Sequence, residues 1–84
     1  MPLSSSAFLA RFKQIKAYLD EHPEAPDTIK KAFADMAAAF KAAHSPEDFK
    51  KALAEDRPVG SDLEERVTST LLLLNQERAR RAGS

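Results

Sequence analysis

Few residues in this 84-residue chain are of a type that does chemistry, and their spacing limits them further. His22 and His44 are the two histidines, and there is no cysteine. A zinc site needs three or four converging ligands, commonly thiolate or imidazole. Both histidines fall at the C-terminal ends of expected helices, where a cation interacts well with the helix dipole. If the first two helices pack antiparallel, those ends lie at opposite ends of a bundle. The pair then forms neither a metal site nor a nucleophile–base arrangement. Acid pairs recur at Asp20-Glu21, Glu47-Asp48, Glu55-Asp56 and Glu64-Glu65. Paired carboxylates do acid–base work when a cleft sets their separation and shifts their pKa values. These pairs occupy helix starts or the segments just before turns, which are solvated and dipole-compensating positions. Ser4, Ser5, Ser6 and Ser69 read as caps or solvated side chains. Gly60 and Gly83 are the two glycines, too few for a phosphate-cradling loop. The expectation is a protein that is not an enzyme and holds no metal or cofactor.

Two stretches carry more. Arg78, Arg80 and Arg81 close the last periodic segment, with Arg78 and Arg81 three apart on one helix face. Guanidinium groups grip phosphates bidentately, so this end is a candidate nucleic-acid contact. Against it, arginine is favoured at any helix C-terminus by the dipole alone, and no aromatics are interleaved to stack on bases. Lys30, Lys31, Lys50 and Lys51 extend the patch only if the fold brings them there.

The second stretch is Leu71, Leu72, Leu73 and Leu74. Each helical residue turns by about 100°, so four in a row point round the whole axis. Leu71 and Leu74 continue the inner stripe of their helix, while Leu72 and Leu73 point elsewhere. Either three neighbouring helices wrap this one, or the turn meets another protein. The simplest such partner is a second copy in a two-fold dimer. The short helix expected before it covers little, which favours the contact. All four leucines are therefore candidate interface residues.

Composition narrows the class. Lys plus Arg and Asp plus Glu both number 13, a formal net charge of zero, whereas a general polyanion binder carries a basic excess. No stretch approaches the roughly 20 apolar residues that span a bilayer. The opening M-P-L-S-S-S-A-F-L-A has neither the basic n-region nor the long apolar core of a secretory signal. Residues 1–19 hold Arg11, Lys13, Lys16 and no acid, the composition of a transit peptide or a membrane-surface helix. Asp20 and Glu21 on the same helix dilute that character. A chain without cysteine suits a reducing compartment, and the expected location is cytoplasmic.

The elements follow from periodicity. One helical domain, 1–84, is all the length allows, and it buries roughly 60 to 65% of its unfolded surface. Helix 5–21 carries Phe8, Phe12, Ile15 and Leu19 on one stripe, flanked by Leu9 and Tyr18, and stops before Pro23. Helix 27–44 repeats the spacing with Ile29, Phe33, Met36 and Phe40, and alanine fills much of the rest. Helix 46–56 is short, with Ser45 as N-cap, Pro46 at its first position, and an apolar side of Phe49, Ala52 and Leu53. Pro58-Val59-Gly60 turns the chain, and Ser61 with Glu64 reads as a capping box for helix 62–81. Its stripe is Leu63, Val67, Leu71 and Leu74 with Thr70 beside it; residues 82–84 are expected to fray. Residues 26–35 resemble 46–55, but two copies are too few for a solenoid and read as two similar helix starts.

The expected fold is all-α, a small compact bundle of three longer helices and one short one. A helix-turn-helix reader fails on charge, because Asp62, Glu64 and Glu65 at the start of the last helix repel phosphates. The expected function is a small protein–protein interaction module, a regulator, adaptor or inhibitor acting through an apolar helix face as a homodimer. The alternative is a nucleic-acid-associated regulator using the arginines.

Overall fold

The structure, a computed structural model, describes residues 2–83. Helices α1 (Ser5–Glu21), α2 (Asp27–Ala43), α3 (Pro46–Glu55) and α4 (Ser61–Ala82) follow in chain order. Among the described residues there is no strand, only an isolated antiparallel bridge between Ser4 and Pro58. The fold is all-α, and each helix starts and stops within one residue of its expected span. The molecule is elongated, 43 × 23 × 19 Å.

Local chemistry sets most boundaries. Ser4 caps α1, its hydroxyl accepting from the Ala7 amide at 3.3 Å. The helix ends at His22, whose amide donates to Tyr18 O at 2.9 Å, one residue before Pro23. α2 starts directly after Pro26 with no side-chain cap, while Asp27 sits in the dipole-favoured first turn. In α3, Ser45 Oγ accepts from the Asp48 amide at 3.2 Å and Pro46 takes the first turn. The two similar segments are thus not equivalent: Pro26 precedes its helix, and Pro46 lies inside one.

The start of α4 corrects one expectation. Ser61 is already helical, the cap residue is Gly60, and no side-chain cap bond forms, so the Ser61–Glu64 capping box is absent. The Glu64 amide bonds instead to Gly60 O at 3.0 Å. The cause lies one residue earlier. Val59 is buried and its amide is tied to Leu3 O at 3.1 Å, so the chain must swing round at residue 60. It does so at φ +100°, which glycine adopts freely and other residues do not.

The serines at the other end are also corrected. Ser5 is fully buried, and its amide and hydroxyl both donate to Arg57 O. Ser6 donates from Oγ and from its amide to Asp56 Oδ1, at 2.7 and 3.3 Å. Only Ser4 is a cap. The other two lash the first turn of α1 to the α3–α4 loop, where Asp56 ends α3 in the left-handed region at φ +50°.

The core lies between α1, α2 and α4. Phe8, Ile15, Met36, Val67 and Leu74 have essentially no solvent contact, and Phe12, Leu19, Phe33, Phe40 and Leu71 lean on them half-buried. The five phenylalanines form one cluster across α1, α2 and α3, from Phe12–Phe33 at 4.9 Å to the edge-on Phe40–Phe49 pair at 4.6 Å. Fully burying a side chain of this size is worth about 1.5–3 kcal/mol. Helix α3 packs on α1 and makes no close backbone contact with α4. The last helix therefore has two neighbours and keeps one side free. At its end Ala82 is still helical and Gly83 caps it, its amide donating to Ala79 O at 3.0 Å; Ser84 lies outside the described residues.

Candidate docking face

The leucine turn of α4 is split by its position. Leu74 is 0% exposed and belongs to the core, and Leu71 is half-buried against it. Leu72 is 57% exposed and Leu73 36%, and they are the exposed large hydrophobics among the described residues. They straddle the outer ridge of the helix. On the α1 side Leu72 joins Arg11, Thr68 and Asn75 around a shallow depression of about 310 Å³. On the α2 side Leu73 joins Pro26, Ile29, Gln76 and Arg80 around another of about 240 Å³. A third depression, of about 400 Å³, lies nearer the start of α4 and is lined by Asp35, Asp62, Glu65, Arg66 and Ser69.

The three arginines do not form an open basic patch. Arg80 grips Glu77, from Nη2 to Oε1 at 2.6 Å and to Oε2 at 2.9 Å. Arg81 donates to Glu77 Oε1 at 2.9 Å and to Glu24 Oε1 at 3.0 Å. Arg78 lies over the Tyr18 ring, 5.8 Å from its centre. Two of the three guanidinium groups are thus bonded to carboxylates of the chain itself. Glu77 is only 6% exposed, and its pKa is held below the ordinary carboxylate value by Arg80 first and Arg81 next. Glu24 is lowered to about 2 by its own backbone amide, the His22 ring and Arg81. His22 Nδ1 lies 3.0 Å from that acid.

Glu77 was missed in the sequence, although a signal was there. An acid three and four residues before two arginines is the helical ion-pair spacing. Its burial was not legible, because it depends on the α1–α2 linker folding over the end of α4. Lys30 donates to Pro23 O, in the same linker.

A separate apolar depression of about 490 Å³ opens between Phe12, Phe40, His44 and Phe49, where α3 leaves α2. His44 faces Phe40 and Phe49 with ring centres 5.3 and 5.9 Å away. Among the described residues no group of three or more His, Asp or Glu is placed to hold a metal ion, and no helix is long and apolar enough to cross a membrane. No family model, curated protein or solved structure matches the chain.

Proposed function

We propose that this chain is a non-enzymatic protein-interaction module, a small regulator, adaptor or inhibitor that docks through the outer face of α4 and pairs with a second copy of itself. The observation that carries the reading is the 57% exposure of Leu72, beside Leu73, on a helix covered by two neighbours instead of three. Monomeric surfaces carry single apolar side chains routinely, but two adjacent leucines on one ridge are the nucleus of a contact patch. The patch is small. A standard stable interface buries about 1,600 Å² in total, so self-association through one helix face is weak and reversible.

The test is sedimentation across a concentration series, at low and at high salt, for the wild type and for Leu72→Lys with Leu73→Lys. Concentration-dependent dimerisation that persists in salt, and a helical monomer in the double variant, support the reading. A double variant that unfolds makes the leucines structural and overturns it. Nucleic-acid binding through Arg78, Arg80 and Arg81 has less support, since the Glu77 and Glu24 carboxylates bonded to Arg80 and Arg81 offset the positive charge that a phosphate would meet.

A further inference from the structure

We infer that the two copies pair antiparallel along α4, with a two-fold axis between Leu72 and Leu73 and with Glu65 of each copy facing Arg80 of the other; this rests on the docking reading above. The outer side of α4 has a symmetry visible in its residue order. Glu65, Ser69, Leu72, Leu73, Gln76 and Arg80 are all exposed and fall within an arc of about 100° on the side opposite Leu63, Val67 and Leu74. Measured from the Leu72–Leu73 midpoint, Ser69 and Gln76 are equally far along the helix, about 5 Å to either side. Glu65 and Arg80 are likewise equidistant, about 11 Å to either side.

An antiparallel copy turned about that midpoint sets leucine on leucine, Ser69 on Gln76, and acid on base at both ends. A parallel copy sets Glu65 on Glu65 and Arg80 on Arg80, so the charges select against it. Both end groups are available for the contact. Glu65 makes no ion pair among the described residues. Arg80 is 70% exposed and meets Glu77 through Nε and Nη2, which leaves Nη1 for a second acid. In the groove between α2 and α4, the depression beside Glu65 has a net negative lining, with Asp35 and Asp62 against Arg66, while the one at the far end is balanced, with Arg80 over Glu77. Zero formal net charge removes long-range repulsion between copies.

The chain has no cysteine, so single introduced thiols report geometry cleanly. S69C and Q76C chains, both altered at exposed positions, are mixed in equal amounts at about 200 μM and mildly oxidised. The antiparallel pair predicts the mixed disulfide in severalfold excess over either homodisulfide, because two copies of residue 69 are then about 10 Å apart along the axis, beyond disulfide reach. In parallel, E65K weakens dimerisation by about fivefold at low salt, since each symmetric contact now sets like charges together. Homodisulfides in excess, or a dimer by sedimentation that gives no disulfide or is indifferent to E65K, overturn the antiparallel arrangement while leaving self-association standing. A wild-type chain that stays monomeric throughout the series overturns both.

Discussion

Arg80 closes over Glu77: one guanidinium nitrogen lies within 2.9 Å of both carboxylate oxygens, and the acid beneath is 6% exposed while its cover is 70% exposed. Arg81 takes the same acid from the next turn position and reaches on to Glu24 in the α1–α2 linker. The inner stripe of α4 therefore ends on a carboxylate that is shielded by its own helix and clipped to another segment.

Glu77→Gln keeps the shape and removes the charge. The expected result is loss of amide protection in the last turns of α4 and in residues 22–26, with the amides of Phe8, Met36 and Val67 unchanged. Hydrogen exchange followed by NMR measures this. Loss spread evenly over all four helices would mean that the clip supports the whole core.

The two kinds of leucine should separate cleanly. Leu74→Ala removes a side chain with 0% exposure and should cost about 2–5 kcal/mol, enough to unfold a marginal domain. Leu72→Ala, at 57% exposure, should stay within about 0.5 kcal/mol. Urea melts at low micromolar concentration, where copies stay apart, make the comparison. Equal losses at both sites would contradict the split of the leucine turn.

Stability should fall in acid, and the sign follows from three carboxyls. Glu24 lies at about 2 against an ordinary 4.5, through its own amide, His22 and Arg81. Glu77 is lowered by Arg80 and Arg81, and Asp56 by the Ser6 hydroxyl and then its amide. Each binds its proton more weakly folded than unfolded, so its contribution is present above the unfolded pKa and lost as pH drops through the folded one. Thermal melts followed by circular dichroism should show the midpoint falling between about pH 4.5 and pH 2. In Glu24→Gln that fall should be shallower.

Duplex DNA offers a direct check on the arginines. With Arg80 and Arg81 held by acids, micromolar protein should give no mobility shift at about 150 mM salt. A shift that disappears in the triple Arg78→Gln, Arg80→Gln, Arg81→Gln variant would restore the nucleic-acid reading.

What the chain's order of residues makes legible is periodic. Phe8 and Ile15, Ile29 and Met36, Val67 and Leu74 recur at seven-residue steps, and all six are buried, because a stripe needs only the helix period to be read. The exposure of Leu72 and Leu73 was legible in part, as a turn too apolar for one face. What decided it was that α3 lies against α1 and away from α4, a packing choice that α3 does not encode locally. The missing capping box and the buried Ser5 share one origin, the contact between Leu3–Ser6 and the α3–α4 loop. Partners about fifty positions apart leave no local trace.

That long-range lashing has a consequence for synthesis. The carbonyl of Arg57 and the amide of Val59, which anchor the first turn of α1, leave the ribosome about fifty residues after Ser5 and Leu3 do. The helix on which α1 and α2 both rest follows later still. At about 5–20 residues per second, Phe8, Ile15 and Met36 spend several seconds without their cover. Until then α1 and α2 have only each other and α3, through Phe8, Phe12, Phe33, Phe40 and Phe49, and the last helix to be made completes their cover.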